Sequence, residues 1–144
     1  MHWFKTYICG NKLGTMIVDK VKYNNLFYAV LHSSNVLISD GPIKEVMNEV
    51  IAVLGEAAQV DRCYLFKNSY EKDSLISMSY EYEWVKLGVE PQIELEILQN
   101  VLWDDFPELK DLLKSGNPFF ANTKDISDHR IRETLEVQDI KSVL

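Results

Sequence analysis

The chain has 144 residues, with 15 Lys plus Arg against 22 Asp plus Glu for a net charge of −7, and it is 47% hydrophobic and 26% charged. That is enough for one domain with its own core and short for two, and 11% aromatic content excludes intrinsic disorder. The acidic balance excludes a protein whose task is to grip phosphate backbones, so nucleic acid is not an expected partner.

The charge is unevenly placed. Residues 1–60 carry five basic and five acidic side chains, whereas residues 61–144 carry ten and 17 and so hold the whole −7. Near the same point the hydrophobic period changes from helical to strand-like. No stretch reaches the roughly 18 apolar residues of a membrane span, and His2, Trp3, Phe4 and Lys5 do not make a secretory leader, so a cytoplasmic chain without membrane insertion is expected. Cys9 and Cys63 lie too far apart for metal-ligand or CxxC spacing, and Cys63, inside an apolar run, is expected to be a buried, reduced thiol.

In chain order, residues 1–25 read as a lead-in or the tail of a preceding domain, with a weak hairpin through Phe4, Thr6, Ile8 and then Met16, Ile17, Val18 as an even alternative. From Leu26, the positions Leu26, Phe27, Val30, Leu31, Ser34, Leu37 and Ile38 recur at helical steps and predict one buried helix face. Asp40, Gly41 and Pro42 stop that helix and start the next, whose stripe is Ile43, Val46, Met47, Val50, Val53, Leu54 and Ala57.

Asp61 to Phe66 is a short apolar run expected as a strand covered on both faces. After the polar stretch Asn68 to Ser74, the residues Ile76, Met78, Tyr80, Tyr82 and Trp84 alternate with Ser77, Ser79, Glu81 and Glu83. This predicts the second strand of a hairpin, with one buried aromatic face and one wet face. Ile93 to Trp103 is helical or irregular; Asp104 and Asp105 stand where the free N–H groups of a new helix need acceptors, and Gly116 closes that helix. Phe119 and Phe120 suggest a brief strand, Ser127 and Asp128 open a helix bearing Ile131 and Leu135, and Ile140 to Leu144 begins another strand.

Catalytic signatures are absent: the sequence contains no GxSxG, HExxH, Walker-A loop or GxGxxG. His2, His32 and His129 read as surface or helix-start residues, and the pairs Asp104/Asp105 and Glu81/Glu83 read as helix entry and strand solvent face. No catalytic or metal residue is assigned. What stands out is the aromatic set Tyr64, Phe66, Tyr80, Tyr82, Trp84, Trp103 and Phe106. Core packing accounts for any one of them, but together, beside Gly- and Pro-flanked segments, they are candidates for lining a pocket for a small planar ligand.

The stretch Val50 to Leu144, with AVLGEAAQVDRCYLF, SYEYEW, GVEPQI, LQN, DDFPELKDLLKSGNPFFAN and IKSVL, resembles the N-terminal two-thirds of a GAF domain, of the kind found in bacterial sensor histidine kinases. The resemblance implies an α+β, PAS-related fold over residues 26–144: an antiparallel sheet with flanking helices, strands at Asp61 to Phe66, Ile76 to Trp84, Phe119 to Ala121 and from Lys141, and a pocket between the sheet and residues 91–115. It implies a sensory, small-molecule-binding or dimerisation module of a signal-transduction protein, without catalysis of its own. The alternative is an interaction scaffold with no ligand. A free-standing sulfoxide reductase is disfavoured, since Cys9 and Cys63 do not resemble a reactive pair, and so is covalent bilin attachment, for want of a cysteine after the second strand. The family fold continues with C-terminal strands beyond Leu144, one of which would lie beside the first strand, so a bare edge there and self-association, as a homodimer or higher, are expected.

Overall fold

The computed structural model describes residues 5–9 and 20–144. Six strands form one sheet in the order β4-β3-β2-β1-β6-β5: β1 (Lys5–Cys9), β2 (Arg62–Glu71), β3 (Ser74–Val85), β4 (Val101–Leu102), β5 (Ala121–Asn122) and β6 (Ser142–Val143). Each of these pairings is antiparallel. The helices are α1 (Lys20–Leu37), α2 (Ile43–Ala58), α3 (Pro107–Lys114) and α4 (His129–Val137), with single 3₁₀ turns at Glu96–Leu98, Trp103–Asp105 and Thr123–Asp125. The architecture is therefore mixed α and β around an antiparallel sheet.

The centre of the sheet is the β2–β3 hairpin, which is longer than its apolar residues alone announce. The strands run on through polar Asn68 to Glu71 and turn through Lys72 and Asp73 alone, both at positive φ (45° and 71°). A two-residue turn of that hand matches the twist of the flanking strands, which is why the ladder extends to its tip. The bare edge expected beside β2 is occupied: β1 pairs along it from Lys5 opposite Phe66 to Cys9 opposite Arg62. Lys5–Cys9 thus shares the sheet with the later strands. Its alternation of Lys, Thr, Tyr, Ile and Cys is too weak in contrast to fix a strand by pattern alone. His2 and the proposed second arm at Met16 to Val18 lie outside the described residues.

One face of the sheet is closed by α2. Val46, Met47 and Ile51 pack there with Val60, Cys63, Leu65 and Tyr82, and Ile51 and Cys63 are completely buried. At Gly55 a Cβ would stand 2.3 Å from the Trp84 ring, so glycine is required by close approach. The buried stripe of α2 also includes Val50, while Ile43, expected within it, is exposed.

The first helix differs more. The stripe expected to be buried points to solvent: Phe27 is 55% exposed and Ile38 82%, and Val30, Leu31 and Leu37 are exposed as well. The face turned inward carries Ala29 and Ser33, both 5% exposed, and partly buried Val36. The apolar period marks a face of α1, but the burial expected of that face is not met, because periodicity does not say which face touches the protein. Small Ala29 and Ser33 allow α1 and α2 to approach closely, and α1 is an outer layer on α2.

Candidate functional site

The other face of the sheet carries Tyr64, Phe66 and Tyr80, whose rings meet in a cluster. Their centroids lie 5.2 Å apart for Tyr64 and Tyr80, 5.8 Å for Tyr64 and Phe66, and 4.9 Å for Phe66 and Tyr80. Such tilted and edge-on arrangements suit the charge distribution of aromatic rings. Above them lies a cover assembled from short elements, namely the Glu96–Leu98 turn, the Trp103–Asp105 turn, α3 and α4, with the edge strand β4 alongside. Between sheet and cover is a cavity of about 100 Å³. Tyr64, Phe66 and Met78 form its floor, with Val101 of β4 at the edge; Leu98, Trp103, Phe106 and Leu109 line it from the central cover; and Ile131, Thr134, Leu135 and the C-cap residue Gln138 line it from α4 and its end. Trp103 is fixed in place because its Nε1–H donates to Asn68 Oδ1 of β2 at 3.0 Å.

A polar clasp stands beside the cavity and holds the cover down. Arg62 Nε and Glu83 Oε1 are 3.0 Å apart, with side chains only 7% and 3% exposed. The Nε–H is not aimed at the carboxylate, so this contact is ionic and not a hydrogen bond. Both groups then reach the segment that enters the cover. Arg62 donates from Nη2 to the Glu90 carbonyl at 2.7 Å and from Nη1 to Gln92 Oε1. Glu83 accepts the backbone N–H groups of Gln92 (2.8 Å) and Ile93 (2.9 Å), and the Tyr80 hydroxyl at 3.0 Å. Gln92 Nε2 in turn donates to the Gln138 carbonyl at the end of α4. Burial, and secondarily the Glu83 carboxylate, push the Tyr80 hydroxyl well above the ordinary tyrosine range, so it remains a donor to Glu83.

Of the seven aromatic candidates, Tyr64, Phe66, Trp103 and Phe106 line the cavity, and Tyr80 lies beside it in the same cluster. Tyr82 and Trp84 do not join them: both pack on the opposite face against α2. The cause is a β-bulge. Leu65 is opposite Tyr82 and Phe66 is opposite Tyr80, so Glu81 is an extra residue in β3, and the alternation reverses there. A second irregularity between Ser69 and Tyr70 leaves Ile76 extra and exposed. The same reversal carries Glu83, expected on the wet face, into the buried clasp. Glu81 remains outward and sits 3.9 Å from Lys67 Nζ.

Other expectations fall out as follows. Cys63 is fully buried, and burial pushes its thiol up to about 12, so it is inert. His32 Nε2 contacts Glu49 across α1 and α2 at 2.9 Å, and His129 Nδ1 lies 3.2 Å from Glu133; both histidines are exposed. Asp128 does cap α4, accepting the N–H groups of Arg130 and Ile131. Asp104 and Asp105 do not cap α3: the N-cap is Phe106, without a side-chain bond, while Asp104 binds Lys110 at 2.8 Å and Asp105 binds Arg130 at 2.7 Å. Pro107 in the first turn has no N–H to satisfy, which reduces the need for a cap. Among the described residues no group of three or more His, Cys, Asp or Glu is placed to hold a metal, and no helix is long and apolar enough to cross a membrane.

An antiparallel sheet with α2 on one face, and α3 and α4 over a small apolar cavity on the other, defines a mixed α and β fold. No protein-family model matches the chain, and no solved structure matches it. It is similar to the methanogenesis regulatory histidine kinase FilI of Methanothrix harundinacea (strain 6Ac), with 33% identity over 128 residues. The match covers 88% of this chain and 14% of that kinase, so the likeness is to one segment of a much longer signalling protein.

Proposed function

We propose that the chain is a GAF-type regulatory module of a larger signal-transduction protein, without catalysis of its own, which senses a small molecule in the cavity between sheet and cover. The observation that carries this reading is the asymmetry of the sheet: one face packs on the single helix α2, and the other keeps an apolar cavity under a segmented cover. Similarity to a segment of a regulatory histidine kinase supports the signalling context. The mechanism is a population shift. A ligand that binds one arrangement of the cover better than another biases that arrangement, by no more than its difference in affinity for the two.

The partner surface in this reading is α1. Its exposed Phe27, Val30, Leu31, Leu37 and Ile38 form an apolar face suited to a second copy of the chain, as expected of a homodimerising module in the cytoplasm. The same exposed face favours a second reading, an interaction scaffold with no ligand.

A thermal-shift survey of nucleotides, tetrapyrroles and small metabolites, combined with sedimentation velocity on the full chain, separates the two. The sensory reading expects a ligand that raises the melting temperature and changes self-association. Self-association with no response to any ligand would favour the scaffold. A monomer that binds nothing would overturn both.

A further inference from the structure

The cavity's size and lining select a ligand class. Its volume of about 100 Å³ is somewhat below the roughly 150 Å³ of an apolar cavity that accepts benzene, and well below the roughly 300 Å³ at which drug-sized sites begin. No Lys, Arg, His, Asp or Glu lines it. Four cations near the cavity are committed elsewhere: Lys110 to Asp104, Arg130 to Asp105, Arg132 to the Ile126 carbonyl, and Arg62 to the clasp. Three of the lining's polar groups donate within the protein. Thr134 Oγ1 donates to the Arg130 carbonyl, Gln138 Nε2 to the Thr134 carbonyl, and Trp103 Nε1 to Asn68. An ionised phosphate or carboxylate would therefore meet no counter-charge in the lining, whereas aromatic floor and walls suit the edge or face of a ring.

We propose that this cavity binds a compact, uncharged, largely apolar molecule of about one six-membered ring, and that it does not take nucleotides or tetrapyrroles. The proposal rests on the reading of the cavity as a ligand site and narrows it to one chemistry.

The test is methyl NMR on the full 144-residue chain, titrated separately with toluene, cyclic GMP and biliverdin. Toluene is expected to give saturable shifts at the methyl groups of Leu98, Val101, Ile131 and Leu135, and none at Ile51 on the far side of the sheet. Val101→Phe, which fills the space, should weaken toluene binding by at least about tenfold while the chain stays folded. Leu109→Phe serves the same purpose should Val101→Phe not fold. If cyclic GMP or biliverdin moves these methyl groups and toluene does not, the ligand class is wrong and the sensory reading survives. If none of the three binds, the cavity is a packing void, and this proposal falls with the ligand half of the sensory reading. Undiminished toluene binding in both filled variants would place the ligand elsewhere and overturn the proposal.

Discussion

On one face of the sheet a single helix of 16 residues, α2, lies over Cys63, Leu65 and Tyr82; on the other, two short helices and two 3₁₀ turns lie over Tyr64, Phe66 and Tyr80. A continuous helix presents one stripe and can interdigitate with the sheet closely enough that Gly55 touches Trp84. A cover in pieces cannot match the sheet along its whole length. It leaves a cavity, and it is tied down by hydrogen bonds that Arg62 donates and Glu83 accepts where apolar contact is incomplete. In the proposed sensory reading, the segmented cover is the part whose contacts would exchange.

The strongest way to break that contrast is to open the clasp. Glu83→Ala leaves Arg62 buried without its counter-ion and three donors without their acceptor, and should cost about 3–5 kcal/mol in urea unfolding. Glu83→Gln keeps part of the hydrogen bonding and should cost less. A loss below about 1 kcal/mol for Glu83→Ala would mean that the cover is held by its apolar contacts alone.

Truncation on the two faces sharpens the comparison. Ile51→Ala removes a wholly buried side chain from the α2 face and should cost about 2–5 kcal/mol. Val101→Ala, at the margin of a space that already exists, should cost clearly less in the same assay. Equal losses would show that the two faces are packed alike. Overpacking should register next: Gly55→Ala gains helix propensity but drives a methyl into the Trp84 ring, for a net cost of about 1–3 kcal/mol. Trp84→Leu in the same chain should recover much of that loss, which a double-mutant cycle measures.

How much of this was legible in the sequence depended on the kind of signal. Helices α2 and α4 and the β2–β3 hairpin follow from apolar period and from the Asp128 cap, because those signals are local. The inward face of α1 was not legible. A stripe of Phe27, Val30, Leu31 and Ile38 is what a buried face looks like, and only the position of α2 reveals that Ala29 and Ser33 are turned inward. The aromatic alternation of β3 misled for a different reason. A single extra residue at Glu81 reverses every side chain beyond it, and nothing in SYEYEW marks the bulge. The unbroken pattern therefore points Tyr82 and Trp84 toward the cavity and Glu83 toward solvent, and the bulge reverses all three. The α4 contribution of Thr134 and Gln138 was hidden because contacts between distant elements leave no trace in spacing.

Alkaline pH should weaken the fold through both faces at once. Cys63 keeps its proton up to about 12 when folded, against an ordinary value of 9.0, and Tyr80 is shifted in the same direction from 10.0. Each folded-state value is raised, so the stabilisation is complete below the unfolded pKa. It is lost as pH rises from about 9, where the unfolded chain begins to release protons that the native one retains, at up to about 1.4 kcal/mol per pH unit for each group. Urea unfolding between pH 8 and 11 checks this, and Cys63→Ala should remove the earlier part of the decline. A flat profile in the native chain would mean that these two groups are not protected as their burial implies.

The smallest effect on stability should come from α1, where the effect on assembly should be largest. Val30→Glu together with Leu31→Lys places opposite charges on the outer face, away from Ala29 and Ser33, and should change folding stability by less than about 0.5 kcal/mol per site. If that face meets a second copy, the charges must be desolvated on contact, and sedimentation velocity should show the dimer lost at concentrations where the native chain associates. Ala29→Leu supplies the contrast, because it forces α1 away from α2 and should destabilise the fold itself. Should the charged pair leave association intact, the apolar face of α1 is not the surface through which the two copies meet, and coupling between cavity and partner would have to run through the cover and not through α2 and α1.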